Sequence, residues 1–280
     1  MNEFIQFKKQ RELGSMLSDT FKFMRIHFKP LARVLIKTSG IPFLLLLVFS
    51  GYYTHLTQGG TEPFSSASIP VLFLMGISSL VYYILMGSTV LNYIKTYINS
   101  GGTVEESTVV SNSFQYSGTL LAFTLVSLFM LVFGLMFFII PGIYFYVPLY
   151  LAFTMIIFKD LGALQAISAG FNLVSDRWWV TFGTIMVIGI VLFIISYVFQ
   201  MPAMIYLLVR TFAVADEVSS ASGAGLDFIA IFLDLISNIA SYLISVVAMV
   251  AAAFIYFDLN EYKNRTGLLE KIETLEKAND

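Results

Sequence analysis

The chain has 280 residues, of which 58% are hydrophobic, 16% aromatic and only 12% charged. Soluble proteins average about 25% charged residues, so the charge content here is about half the usual value. So few polar side chains cannot cover so much apolar surface in water. The apolar residues also gather in long uncharged runs, such as residues 118–157. These properties exclude a soluble globular protein and indicate an integral membrane protein.

Composition excludes several kinds of functional site. The chain has no cysteine, which rules out disulfides, thiolate metal sites and cysteine nucleophiles. Its two histidines, His27 and His55, are too few for a histidine-rich metal or catalytic site. The net charge is -2, and no basic stripe exceeds what membrane orientation requires, which disfavours a nucleic-acid partner. The sequence therefore predicts no cofactor and no metal.

Six segments are long and apolar enough to cross a bilayer, which needs about twenty residues each. The predicted spans are residues 35–53, 70–91, 118–140, 142–158, 178–199 and 238–257. Only the Pro141-Gly142 turn separates the third span from the fourth, so these two should form a tight hairpin. Pro202 is expected to end the fifth span, and residues 203–212 to form a short re-entrant or interfacial helix.

The sequence thus predicts an all-α polytopic membrane protein, with about six transmembrane helices in three hairpins. Residues 1–30 are predicted to be a cytoplasmic N-terminus with an interfacial amphipathic helix. Residues 31–257 form the transmembrane domain, and residues 258–280 form a cytoplasmic tail with a short amphipathic helix. The apolar positions of that tail helix are Leu268, Leu269, Ile272 and Leu275.

Lysine and arginine are concentrated on one side of the predicted membrane domain. Of the 16 basic residues, all but Arg210 lie near the N-terminus, after the second or fourth span, or in the C-terminal tail. Because cytoplasmic loops are enriched in basic residues, both termini are predicted to be cytoplasmic, in the inner (plasma) membrane of a bacterium. The N-terminal segment is basic well before its first apolar run, so the first span is expected to remain as an uncleaved anchor.

Three segments that precede the first, third and fifth spans share the pattern Ser-x-x-Phe. Their phenylalanines are Phe21, Phe114 and Phe171. Each segment is amphipathic and is predicted to form an elbow helix in the headgroup region of the cytoplasmic leaflet. Two interpretations remain open: a threefold repeat of elbow plus hairpin, or a coincidence of a common pattern. A true repeat predicts that the three phenylalanines pack at equivalent places, where each elbow meets the bundle.

Aromatic and polar side chains near the span ends allow further predictions. Tyr93, Tyr97 and the pair Trp178-Trp179 suit an aromatic belt at the membrane interface. A group of tyrosines could either line a polar path or pack between helices: Tyr82, Tyr83, Tyr144, Tyr146 and Tyr150.

Asp234 is the best candidate for a functional ionisable residue, because acidic groups in membrane segments are costly and often functional. Asp227 lies nearby in the sequence. Asp234 is expected about 6 Å outside the apolar core, at 1.5 Å per residue from the start of the last span. Two interpretations are open there: a solvated carboxylate, or a pair with Arg210 that lines an outer vestibule.

Four stretches of the sequence match the pattern of a known family: RELGSMLSDTF (residues 11–21), IIPGIY (139–144), LGALQAISAGF (161–171) and RWW (177–179). Together they resemble the membrane domain attached to some bacterial glycerophosphoryl diester phosphodiesterases and related six-helix inner-membrane proteins. The resemblance covers residues 11–257 and implies a membrane architecture of about six helices.

The resemblance does not extend to phosphodiesterase activity. That activity belongs to a catalytic domain with paired histidines and clustered carboxylates around a metal, and this sequence lacks such a domain. The stretch from Tyr144 to Pro148 also departs from the family pattern, which often has a basic residue in the fourth span.

Two functions are weighed against each other, with membrane lipids and possibly other membrane proteins as partners. The first is a non-enzymatic accessory or scaffold protein that organises lipid or protein partners through its elbows and tail. The second is a transporter or channel for a small or lipid-like solute. The mid-span regions offer only Ser, Thr, Tyr and Gly as polar residues, which favours the first. An intramembrane enzyme ranks last, because no acid, base or metal cluster is predicted at membrane depth.

Overall fold

The computed structural model describes residues 4–58, 62–137, 139–215 and 228–279. Every regular element within these ranges is helical. The α-helices are α1 (Leu13–Gln58), α2 (Ser68–Asn99), α3 (Glu106–Gln115), α4 (Ser117–Phe137), α5 (Ile139–Phe158), α6 (Ala163–Val174), α7 (Trp178–Ala215), α8 (Phe228–Asn264) and α9 (Thr266–Asn279). Six segments, centred on α1, α2, α4, α5, α7 and α8, are long and apolar enough to cross a membrane. The predicted all-α, multi-pass class is confirmed.

The chain divides into two compact units. The terminal unit contains Met1–Thr38, Ile84–Gly189 and Val246–Asp280. The second unit contains Ser39–Tyr83 and Ile190–Ser245. Helices α1, α2, α7 and α8 contribute to both units, whereas α4 and α5 belong wholly to the terminal unit. The six predicted spans are therefore of two kinds.

Helix α1 corrects the prediction of a separate first elbow helix. It runs without interruption for 46 residues, about 69 Å at 1.5 Å per residue. The buried residues of its first half are spaced by three, four or eight positions, which places them on one side of the helix: Met16, Thr20, Phe23, Leu31 and Val34. Since this buried face continues into the apolar run, one continuous helix serves both as elbow and as span. The other two elbows are separate helices, α3 and α6.

Helix α7 corrects the prediction that Pro202 ends the fifth span. The helix continues through Pro202 to Ala215, so residues 203–212 are not a separate helix. A proline removes one helical N–H, but apolar surroundings offer the backbone no other partners and the helix persists. Near the proline, the Ser237 hydroxyl donates a hydrogen bond of 3.2 Å to the carbonyl oxygen of Phe199.

Helices α4 and α5 form the predicted tight hairpin, but the turn is placed differently. Helix α5 already begins at Ile139, so Pro141 and Gly142 lie in its first turn instead of in the connection. Proline is well tolerated there because the first helical N–H groups have no intrahelical partner. The two backbones approach closely: a Cβ on Gly134 would lie 3.1 Å from the Cα of Gly142.

Candidate functional site

Asp234, the predicted functional acid, lies in a cluster of neutral polar groups in the second unit. Its Oδ2 accepts hydrogen bonds from Thr54 Oγ1 at 3.1 Å, Asn238 Nδ2 at 3.0 Å and Ser50 Oγ at 3.5 Å. Asn238 Nδ2 also lies 2.9 Å from Ser50 Oγ. The carboxylate thereby links α8 to α1 through hydroxyl and amide donors.

The alternative partner of Asp234 was Arg210. No ion pair joins these two residues among those that the structure describes. The neighbouring acid considered with them, Asp227, lies outside the described residues. The described contacts of the Asp234 carboxylate are thus charge-assisted hydrogen bonds from neutral donors.

Other polar side chains in the second unit also bond to each other or to the backbone. Ser196 and Ser241 lie 3.3 Å apart through their hydroxyls, and Gln200 Nε2 donates to Ser196 Oγ at 3.1 Å. Tyr82 donates to the carbonyl oxygen of Tyr242 at 3.3 Å. The Ser196–Ser241 and Tyr82–Tyr242 contacts join different helices, whereas Gln200 bonds within α7.

Of the three phenylalanines in the predicted elbows, one packs against the neighbouring hairpin. Phe171 lies 6.1 Å from the ring of Tyr144 and 6.0 Å from that of Phe145. Phe21 and Phe114 expose 40% and 49% of their surface. The three phenylalanines therefore do not share one packed environment.

The residue just before each of these phenylalanines does share an environment. It is small and buried in all three segments: Thr20, Ser113 and Gly170. The residue four positions earlier is apolar and buried: Met16, Val109 and Ala166. The closest approach is at Gly170, where an added Cβ would lie 2.5 Å from the carbonyl oxygen of Pro148. The three segments therefore share a small buried residue just before the phenylalanine.

The start of α7 completes a hydrogen bond that α5 leaves open. Pro148 has no N–H, so the carbonyl oxygen of Tyr144, four residues earlier, has no helical donor. The indole Nε1 of Trp178 donates to that oxygen at 3.3 Å, and the two rings stack at 5.5 Å. The first residue of α7 is thereby fixed to the first turns of α5.

The N-terminal segment, residues 4–12, inserts into the terminal unit, which the sequence reasoning missed. Phe7 is almost fully buried and stacks on Phe254 at 4.4 Å. The backbone N–H of Ile5 donates to the hydroxyl of Tyr97 at 2.8 Å. Tyr93 and Tyr97, predicted for an exposed aromatic belt, are buried here instead. Three apolar residues just ahead of a basic stretch were the available signal: Phe4, Ile5 and Phe7.

Arg11 holds this segment in place. Its side chain is only 1% exposed, and its Nε donates to Asp19 Oδ2 at 2.9 Å. Its Nη1 donates to the carbonyl oxygens of Phe7 at 2.8 Å and Lys9 at 3.2 Å. Its backbone N–H donates to Asp258 Oδ1 at 2.6 Å. Burial lowers the pKa of Arg11, and the hydrogen bond and charge of Asp19 oppose that shift.

A second polar junction joins the end of α2 to the end of α5. Lys95 Nζ lies 2.9 Å from both carboxylate oxygens of Asp160, and Tyr116 donates a hydrogen bond to the same carboxylate. Partial desolvation raises the pKa of Asp160, but the hydrogen bond from Tyr116 and the Lys95 ammonium outweigh it, so the net pKa lies below its ordinary value. Desolvation, with Asp160 adding to it, raises the pKa of Tyr116 to about 12.

Helix α9, the predicted tail helix, is fixed at its first turn. The N–H of Gly267 donates to both carboxylate oxygens of the buried Glu261, at 2.8 and 2.9 Å. Lys8 forms an ion pair with Glu270. Beyond this anchor the predicted apolar positions are 45–66% exposed: Leu268, Leu269, Ile272 and Leu275. A helix that is held at one end thus presents an uncovered apolar stripe.

Comparison with known protein families, with curated proteins and with solved structures finds no match to this chain. The resemblance to the phosphodiesterase membrane domain stays a prediction. Sequence and geometry define the class as an all-α multi-pass membrane protein. Its function must be inferred from the surfaces and contacts of the chain itself.

Proposed function

We propose that the protein is a non-enzymatic accessory or scaffold subunit of the bacterial inner membrane, with both termini in the cytoplasm. It acts by docking an amphipathic helix of a protein partner on α9. The carrying observation is the exposed stripe of α9, which is anchored by Glu261 and Lys8 yet left uncovered. Apolar residues at Leu268, Ile272 and Leu275 have the spacing that helix–helix seams use.

The charge of α9 favours a protein partner over the membrane surface. Helices that lie on anionic membranes carry lysine and arginine on their polar face. The sequence of α9 has three glutamates and two lysines, so its net charge is negative. An anionic leaflet would repel this helix, whereas a partner helix with basic flanking residues would complement it.

The internal bonding of the polar groups supports a non-enzymatic role. Asp234 and the serines of the second unit are occupied in interhelical hydrogen bonds. Within the described ranges, no group of three or more His, Cys, Asp or Glu residues is arranged to hold a metal ion. These contacts suit a framework that holds its surfaces in place for partners.

A threefold repeat of elbow plus hairpin is part of this proposal. It is supported by the small buried residues that precede the three phenylalanines, Thr20, Ser113 and Gly170. At Gly170 the absence of a side chain lets the elbow approach Pro148 of α5 closely. Each hairpin then starts from an elbow that lipid can contact on its other side.

Site-specific photo-crosslinking in cells tests the docking proposal. A photoreactive residue at Leu269 or Leu275 should give one discrete adduct with the same protein. The same residue at position 270 should give little, because this position faces Lys8 instead of the apolar stripe. The Ile272→Glu variant should abolish the adduct, and its helix content should be unchanged because Ile272 is exposed. Adducts with lipid alone, or no adduct at Leu269 and Leu275, would contradict a protein partner.

A transporter is the second candidate, and one observation favours it. Asp234 is an acidic residue held among helices that are apolar enough to cross a membrane, where such residues often mark solute or proton paths. Asp234→Asn removes the charge and can keep a hydrogen bond to Thr54. Loss of solute flux in proteoliposomes with this variant, at unchanged thermal stability, would favour transport.

A further inference from the structure

A groove in the terminal unit brings together hydrogen-bond donors from three segments. It has a volume of ≈ 440 Å³ and lies between the end of α5, one face of α6 and the end of α8. Its polar lining residues are Lys159, Gln165, Ser168, Asn172, Lys263 and Asn264. All of them can donate hydrogen bonds, and no carboxylate is among the described residues that line the groove.

One face of helix α6 forms a wall of this groove. Gln165, Ser168 and Asn172 are spaced by three and four residues, so they share one face of the helix. Leu164, on a different face, is largely exposed. This amphipathic arrangement suits a helix at a membrane interface, with its polar side toward the groove and its apolar side toward acyl chains.

The two lysines of the groove differ in their partners. Lys263 Nζ lies 3.2 Å from Asp176 Oδ2 and also donates to the carbonyl oxygen of Asn172 and to the Ser175 hydroxyl. The acid next to Lys159 in sequence, Asp160, is engaged by Lys95 instead. No described carboxylate pairs with Lys159, so the groove keeps one positive charge that the protein does not neutralise.

The local environment makes Lys159 suited to an anion. Neighbouring protein removes part of its hydration and lowers its pKa, so an anionic ligand would restore favourable interactions to the ammonium. Gln165 uses its Oε1 to accept the N–H of Gly162 at 3.2 Å, which leaves its NH₂ group for a ligand.

We propose that this groove binds a phosphate-bearing anion, with Lys159 as the charged contact and Gln165, Ser168 and Asn172 as neutral donors. Basic pockets at the ends of membrane helices bind lipid headgroups in this way, and a soluble phosphate offers the same oxygen atoms. The proposal does not depend on the docking of a partner on α9.

Thermal stability of the purified full chain, measured in detergent, tests the site with two probes. One probe is phosphatidylglycerol added to the micelles, with phosphatidylcholine as its zwitterionic counterpart, and the other is inorganic phosphate. If only phosphatidylglycerol raises the unfolding midpoint, and the rise is reduced in Lys159→Gln, the ligand is a lipid headgroup. If inorganic phosphate raises the midpoint and Lys159→Gln reduces that rise, the site accepts free phosphate.

Two variants make the test specific. Lys159→Gln should weaken the apparent affinity by about tenfold, the usual effect of losing one charged hydrogen bond. Ser168→Ala should weaken it by a smaller factor, and Lys29→Gln, which removes an exposed basic residue of α1, should leave it unchanged. Equal weakening by Lys159→Gln and Lys29→Gln, or no rise with either probe, would overturn the proposal.

Discussion

Pro148 lies inside α5 and has no backbone N–H, so the carbonyl oxygen of Tyr144 depends on the indole of Trp178 for a hydrogen bond. We expect Trp178→Phe to keep the ring stacking but leave this oxygen without its donor, which costs about 0.5–1.5 kcal/mol. The matched control is Trp179→Phe, because the neighbouring indole is 77% exposed. Thermal unfolding followed by circular dichroism should show a lower midpoint only for Trp178→Phe. Equal midpoints for both variants would contradict this role.

Gly170 is a second residue at which close contact with a neighbouring helix leaves no room for a side chain. A Cβ at this position would lie 2.5 Å from the carbonyl oxygen of Pro148 and 3.0 Å from the Cβ of Ala152. These atoms cannot rotate away, so Gly170→Ala should push α6 from α5 and destabilise the protein by about 1–3 kcal/mol. Gly183→Ala is the control, since nothing lies within 4 Å of its Cβ position. A Gly170→Ala protein as stable as Gly183→Ala would rule out this close packing.

At the scale of elements, the sequence predicted which segments are helical better than it predicted where helices stop. Pro202 was expected to end a helix, yet α7 continues past it because apolar surroundings favour a bonded backbone over an open one. The first elbow was expected to be separate, yet its buried face runs on into the span as α1. Local signals such as proline and charge do not report which neighbours will cover a helix.

The candidate sites could be predicted only in part for the same reason. The apolar stripe of α9 follows from a periodicity that is visible in the sequence. Asp234 was recognised as an unusual acid, but its partners Ser50 and Thr54 lie about 180 residues away in the chain. The groove at Lys159 likewise needs α5, α6 and α8 to meet. Contacts between distant segments are set by tertiary packing, which periodicity does not encode.

The inserted N-terminal segment is bonded at several points to the side chain of Arg11. We expect Arg11→Lys to release residues 4–10, because an ammonium group cannot bond Asp19 and the Phe7 carbonyl as the planar guanidinium does. Amide hydrogen exchange of this segment should become roughly tenfold faster or more. Arg25→Lys, at an exposed position of α1, is the control and should exchange like the natural protein. Unchanged protection in Arg11→Lys would contradict this role of the guanidinium.

For the whole molecule, the distribution of basic residues predicts the orientation in the membrane. Reporters fused after Asp280, or inserted near Gly102 or Ala163, should be cytoplasmic. Reporters near Gly60 and Ser219, two positions outside the described residues, should be external. A periplasmic report from the C-terminal fusion would contradict this orientation.

The contacts of the hairpin of α4 and α5 bear on how deeply it enters the membrane. Six equal spans would place its turn in the external water. Yet Tyr144, in the first turns of α5, packs on Trp178, the residue after Arg177. Charged residues near a span mark the water boundary. Arg177 lies 3.6 Å over the ring of Tyr262, so the first turns of α5 pack close to the charged ends of α7 and α8.

We therefore expect the turn between α4 and α5 to stop inside the membrane, with its apolar residues in lipid. The chain has no cysteine, so single cysteines report directly. A cysteine at Ile140, an exposed apolar position, should resist a membrane-impermeant maleimide applied from outside the cell. Ser66→Cys should react from outside, and Thr103→Cys only after the membrane is opened. External labelling at Ile140 would show that α4 and α5 cross fully, because only a turn in the external water could react.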